Sequence, residues 1–244
     1  MSSNIILEPF SAGRSVARLL FDFSVMAALF NDNYLEDEFL DFGAGTCWIS
    51  EFCVRMGFKV TAFDIHGDLE EIIQKRCEAD SRVDQKKFKF VQGDGHDMPF
   101  GENYFGHILC FDTFHHMSSF SSVFSEFFRV LKPGGLVIFV EPGANHSKSL
   151  ETQQFLAEQK KFDPFWIERD IVLEEMDSLA EEAGFRDGID IIPTPHPFAL
   201  NKYSIKEWTK FCSGDKYLRE NFTNNLSKLN YFDRVIFTIT KPMS

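Results

Sequence analysis

Phe39-Leu40-Asp41-Phe42-Gly43-Ala44-Gly45-Thr46-Cys47-Trp48 is the stretch that decides the fold. Its first four residues read as a short buried strand, stopped by Gly43-Ala44-Gly45. From about Trp48 to Met56 apolar positions recur at helical spacing, and Gly57 stands where a helix stops. Strand, glycine turn and helix in that order open a βαβ unit. Downstream the alternation continues. Lys59 to Phe63 is β-rich and ends at Asp64, a charged helix spans Leu69 to Ala79, and Phe88 to Val91 and Phe105 to Phe111 are strands. Phe120 to Leu131 is a helix, Lys132-Pro133-Gly134-Gly135 a turn and Leu136 to Val140 a fifth strand. Upstream, Val16 to Phe30 fits a helix with one broad apolar face. Toward the C-terminus, Ile167 to Ala183 reads as a helix closed by Gly184, and Ile189 to Ile192 and Arg234 to Thr240 as strands. Thr194 to Tyr231 is polar and aromatic, with one short helix near Ser204 to Phe211.

Strands separated by helices predict an α/β fold with a doubly wound, mostly parallel sheet of seven strands. No repeat or low-complexity linker divides the chain, so residues 1–244 read as a single domain. Its parts are an N-terminal helical segment (1–35), a ligand-binding half (36–143) and a second half (144–244) with a cap at about 194–231.

Composition narrows the function. The 29 Phe residues read mostly as core, because aromatic rings bury much apolar surface each. With 37 acidic against 25 basic residues the formal charge is −12, which repels phosphate backbones. The densest basic run, Lys86-Lys87-Phe88-Lys89, is too short to offset it, so no nucleic-acid partner is expected. Five scattered cysteines without CxxC spacing argue against disulfides and structural zinc and suit a reducing cytosol. No clustered carboxylate motif demands a metal. The N-terminus lacks a secretory signal, and Leu19 to Phe30, interrupted by Asp22, is too short to span a bilayer. The expectation is a cytoplasmic protein without a membrane span.

In an open parallel sheet ligands bind beyond the carboxyl ends of the strands, where strand order reverses. Glycines in the first loop permit unusual φ angles and close approach of a ligand to the backbone. Asp64, at the end of the second strand, lies nineteen positions after Gly45, where a carboxylate can accept both hydrogen bonds of a ribose diol. The nicotinamide fingerprint wants a third small residue where Trp48 stands, so a ligand without a pyrophosphate fits better.

Five motifs in order then resemble the class I S-adenosylmethionine-dependent methyltransferases, of the type common in bacterial small-molecule and polysaccharide pathways. They are LDFGAGTCW, VTAFDIH, VQGDGHDMPF, FGHILCFDTFHHM and VLKPGGLVIFVEPG, together spanning about residues 39 to 143. A third glycine frequent in the first motif is replaced by Cys47. The resemblance implies S-adenosylmethionine as cofactor, with Asp41, Gly43, Gly45, Asp64, Ile65, Asp94, Gly95, His96 and Asp112 binding it. Asp94 would hold the adenine amino group, with Gly95 and His96 flanking the ring. It says little about residues 150–240.

The sulfonium of such a cofactor supplies the reactivity, and the protein must orient it, exclude water and, for an oxygen nucleophile, help a proton leave. His115 and His116, after the fourth strand, and Glu141 and His146, after the fifth, are the candidate catalytic groups. Beside that reading stands a plainer one, in which they shape the pocket floor or hold a loop. Glu168 and Asp170 read first as acids at a helix start. Trp166, Trp208 and Tyr203 either line an acceptor pocket or pack. His66, His107 and His196 read as structural. The function expected is methyl transfer to a hydroxyl of a small-molecule or carbohydrate acceptor. A quinone-precursor or other carbon or nitrogen methyltransferase, and a non-catalytic cofactor-binding module, remain alternatives. Oligomeric state is not readable from the sequence.

Overall fold

The computed structural model describes residues 5–194, 204–228 and 234–243. Strands β1 (Glu38–Phe42), β2 (Lys59–Asp64), β3 (Phe88–Gln92), β4 (Phe105–Phe111), β5 (Leu131–Pro142), β6 (Asp190–Ile191) and β7 (Arg234–Thr240) form one sheet in the order β3-β2-β1-β4-β5-β7-β6. The first five are parallel; β7 runs antiparallel to both β5 and β6. Strand order reverses between β1 and β4, which opens a crevice at their carboxyl ends.

Parallel strands covered on both faces are apolar throughout, and β4 is buried at every residue. On one face lie α1 (Val16–Ala28), α2 (Trp48–Arg55) and α3 (Leu69–Ala79), whose Met26, Trp48 and Ile72 join one core cluster. On the other lie α4 (Phe120–Val130) and a helix over Leu173–Ala183, whose Phe124, Phe127 and Met176 join a second. Phenylalanine dominates the largest fully buried side chains, as composition suggests, although Phe10, Phe162 and Phe165 stand exposed. Trp48 is core as well, edge-on to Phe111 with ring centroids 5.2 Å apart.

Five local expectations change. The Lys132–Gly135 turn survives as an irregularity inside β5, where pairing with β4 jumps from Phe105↔Leu131 to His107↔Leu136. The strand at Ile189–Ile192 shortens to Asp190–Ile191. A helix absent from the sequence reading, α5 (Leu150–Gln159), begins at Ser149, whose Oγ accepts from Thr152 N–H at 3.0 Å.

The helix expected over Ile167–Ala183 begins only at Leu173; it is α6. Residues 167–172 are drawn out because their backbone bonds elsewhere. Arg169 N–H donates to His115 O at 3.1 Å, and Ile167 O accepts from His116 Nδ1 at 2.8 Å. Tertiary pairing outweighs a helical pattern here. In the expected cap, where one short helix was expected, two form: α7 (Ile205–Cys212) and α8 (Lys216–Lys228) pack together, with Phe211 edge-on to Phe222 at 5.7 Å. Tyr203 and His196 lie outside the described residues. No helix among the described residues is long and apolar enough to cross a membrane.

Candidate active site

Two adjoining cavities open at the carboxyl ends of the strands. The first, about 580 Å³, runs along the glycine loop after β1. Gly43 N–H and Ala44 N–H both donate to Phe63 O, at 2.8 and 3.1 Å, which folds the loop back onto β2. Gly43 has φ +67°, and a Cβ there would sit 1.7 Å from Thr113 Oγ1, so no other residue fits. Asp64 at the end of β2 is gripped by two backbone donors, Gly45 N–H on Oδ2 and His66 N–H on Oδ1, each at 3.0 Å. Across the cleft Asp94 Oδ1 accepts from His96 N–H at 2.9 Å, and the His96 ring closes on it at 2.6 Å. Those bonds hold the Asp94 carboxyl below its ordinary pKa.

Gly43, Gly45, Asp64, Ile65, Asp94, Gly95, His96 and Asp112 all line this cleft. Asp41 does not. It is buried beneath the loop, where Ser50 donates to Oδ2 from both its N–H (3.0 Å) and its hydroxyl. Burial pushes it up to about 7 despite those bonds, so Asp41 ties β1 to the start of α2 rather than meeting a ligand. The cleft is large enough for an adenosine-sized ligand, and its hydrogen-bond acceptors suit one. Two fixed carboxylates can take a ribose diol and an amino group, and Phe42, Phe63 and Met117 supply apolar wall.

The second cavity, about 570 Å³, is walled by charged and polar groups, including Arg18, His115, His116, His146, Thr152 and Glu168. Asp112 and His116 line both cavities. Asp112 takes φ +50° and is held by Arg234, which also donates to Asp22 from Nε at 3.0 Å. This network ties β4 to α1 and β7, and Arg234 outweighs burial to keep the Asp112 carboxyl ionised.

The four expected catalytic residues separate on inspection. Glu141 is 0% exposed and lines neither cavity. It accepts from Thr113 N–H (3.1 Å), Phe114 N–H (2.8 Å) and His115 N–H (3.4 Å), and holds His115 Nδ1 at 2.7 Å. Contact with an acceptor is closed to it; Glu141 positions His115. His115 in turn places Nε2 3.3 Å from Glu168 Oε2. Burial works against its charge, but the two carboxylates prevail and raise it to about 9, which denies it the free lone pair of a general base at neutral pH. His146 is likewise engaged, with Nε2 2.7 Å from Glu168 Oε2 and Nδ1 3.2 Å from Thr152 Oγ1. His116 differs. Its Nδ1 donates to Ile167 O, burial and the neighbouring His115 hold its pKa down, and Nε2 keeps its lone pair.

Glu168 is the residue that sequence reasoning misplaced. Instead of starting a helix, it gathers His115, His146 and the Trp166 indole N–H, which donates to Oε1 at 2.7 Å. Burial would raise its pKa, but these bonds outweigh burial and hold it well below the usual carboxylate range. Asp170 also caps no helix and accepts from Ser147 N–H at 2.7 Å. Trp166 lines the glycine cleft. Trp208 stacks on Phe211 at 5.4 Å and lines neither cavity. His107 is structural, as expected: Asn31 N–H donates to its Nε2 at 2.7 Å.

Residues 40–139 match the family described as "Methyltransferase domain". Over 50 residues, 20% of this chain, the sequence is 50% identical to a sterol 24-C-methyltransferase of Pneumocystis carinii and spans 13% of it. Over 105 residues, 43% of this chain, it is 31% identical to a demethylmenaquinone methyltransferase of Tropheryma whipplei and spans 41% of that protein. The matched stretch is thus less than half of either relative. Among solved structures, Haemonchus contortus phosphoethanolamine N-methyltransferase 2 in complex with S-adenosyl-L-methionine has a similar fold. Its TM-score is 0.62 at 18% identity, over 91% of this chain and 52% of that one. Strand order, glycine loop and family match agree: residues 40–139 are a methyltransferase domain, and the sheet built around them has the class I S-adenosylmethionine-dependent methyltransferase fold.

Proposed function

We propose that the protein transfers a methyl group from S-adenosylmethionine, held in the glycine cleft, to a hydroxyl of a small polar or carbohydrate-like acceptor in the second cavity. The observation that carries this reading is the wall shared by the two cavities at Asp112 and His116. A donor methyl in one cavity meets a nucleophile in the other only there. The acceptor oxygen attacks the methyl carbon, the C–S bond breaks with its electron pair returning to sulfur, and the hydroxyl proton passes to solvent water. S-adenosylhomocysteine and the methyl ether remain. Holding the partners in line supplies much of the acceleration.

The acceptor class follows from the lining. A sterol or quinone ring needs a broad apolar wall, whereas this cavity presents two arginines, three histidines and the acids Asp112, Glu151 and Glu168. Such groups recognise hydroxyls, and desolvating them against a hydrocarbon is costly.

Calorimetric titration with S-adenosylhomocysteine tests the cofactor half. Wild-type protein binds in the micromolar range, and Asp64→Ala weakens binding by about tenfold or more, the equivalent of losing one charge-assisted hydrogen bond. Absence of binding by the wild type overturns the reading. Labelled-methyl transfer to a panel of hydroxylated acceptors then tests the acceptor half; transfer only to amines or to carbon would refute it.

A further inference from the structure

The catalytic candidates fall into an arrangement that the proposed reaction does not by itself require. Three imidazoles surround one carboxylate. Ligand atoms of His115, His116 and Glu168 all lie within 4.8 Å of one another, close enough to share one ion. We propose that these three residues bind a divalent transition-metal ion at the wall of the acceptor cavity.

Five features support the assignment. The donor set is two imidazoles and a carboxylate, which suits borderline ions such as zinc, cobalt and nickel better than calcium or magnesium. His115 is oriented as metal-bound histidines are: one nitrogen is fixed by a buried carboxylate, Nδ1 on Glu141 at 2.7 Å, which turns Nε2 toward Glu168, and a bound ion takes the place of the Nε2 proton, which is released to solvent. Glu168 is itself held from outside, by Trp166 Nε1 and by His146 Nε2, each at 2.7 Å. All three ligands line the cavity, so a bound ion keeps an open position for an acceptor oxygen, as catalytic sites do. Charge agrees, because the Glu141 and Glu168 carboxylates together supply the two negative charges that a dication balances. The ligands come from positions 115, 116 and 168, a spacing that no linear metal motif displays.

The inference deepens the proposed reaction and rests on its placing the acceptor in this cavity. An acceptor hydroxyl on the ion has a lowered pKa and gives its proton to water before attacking the methyl group.

The test uses the full chain, stripped with a chelator, dialysed and titrated calorimetrically with zinc chloride. A parallel cobalt titration is followed by visible absorption, which separates nitrogen and oxygen ligands from thiolate. One equivalent bound, without thiolate absorption, and affinity at least about 100-fold lower in Glu168→Gln support the site. No binding, or binding that Glu168→Gln leaves unchanged, overturns it. A parallel titration with S-adenosylhomocysteine shows that the variant is folded; if it is not, His116→Gln reads the same loss from the cavity wall. Homocysteine-product binding without zinc binding sinks this inference and spares the methyl-transfer reading, and zinc binding without product binding does the reverse.

Discussion

The glycine cleft and the histidine cavity share a wall but are made of different materials. The cleft is shaped by backbone: a loop turned by Gly43 onto Phe63 O, with Asp64 fixed by two main-chain N–H groups. The cavity is shaped by side chains from separate stretches of chain, joined by His115 to Glu141, His115 and His146 to Glu168, and Ser147 to Asp170. A backbone-built site needs only a strand, a turn and a helix in sequence. A side-chain site needs the whole fold, and removing one buried member exposes the others' dependence on it.

The sharpest way to break this comparison is Glu141→Ala. The change strands three backbone donors and the His115 imidazole in a fully buried setting, and we expect a loss of about 5 kcal/mol of stability. Denaturant unfolding measures it, and a loss under about 1 kcal/mol would show that the cavity does not depend on its buried carboxylate. Affinity for S-adenosylhomocysteine in the folded fraction should change little, since Glu141 lies outside the cleft.

This contrast also explains what was legible in advance. Six of the seven strands and the reversal-point cleft followed from local signals: Gly43 and Gly45 after an apolar run, Asp64 ending the next strand, Asp94 two residues after β3. The seventh strand, β6, kept only two of the four residues expected. Glu168 was taken for a helix start because Ile167 and Ile171 continue the spacing of α6. Only the pairing of Arg169 N–H with His115 O, 54 positions away in sequence, unwinds that turn, and no local pattern reports such a bond. Asp41 misled in the opposite way. It stands in register with the first motif, yet its carboxyl is spent on Ser50. A polar residue inside an apolar strand is as well explained by an anchor as by a ligand.

Two acids, Asp41 beneath the glycine loop and Glu168 in the histidine cluster, are shifted in opposite directions, which gives a smaller effect. Burial raises Asp41 from 3.8 to about 7, whereas Glu168 is pulled down by its partners. A carboxyl with a raised folded pKa holds a proton that the unfolded chain has shed. Its contribution is fully present below pH 3.8 and is lost as pH rises through about 7. The decline amounts to as much as about 4 kcal/mol, at 1.36 kcal/mol per pKa unit. Asp41→Asn removes it while keeping an acceptor for Ser50. The stability difference between variant and wild type should therefore grow from pH 4 to 7 and then level off. Any slope from His115 is common to both proteins and cancels. A difference flat across that range would mean that Asp41 stays ionised under the loop.

Trp166 gives the smallest effect and the finest test, because it belongs to both regions. Its ring lines the glycine cleft, while its indole N–H donates to Glu168 Oε1 at 2.7 Å in the histidine cluster. Trp166→Phe keeps an aromatic wall and deletes the donor. One hydrogen bond to a charged acceptor is worth about 1.5–3 kcal/mol, and Glu168 retains His115 and His146, so a loss near 1.5 kcal/mol is expected. If cleft and cavity are separate constructions sharing a wall, S-adenosylhomocysteine affinity stays within about twofold while stability falls, since a twofold change is only about 0.4 kcal/mol. A fall in product affinity as large as the fall in stability would show instead that the orientation of Glu168 reaches through Trp166 into the cleft. The cleft and the cavity would then be coupled through that ring rather than only adjoining at Asp112 and His116.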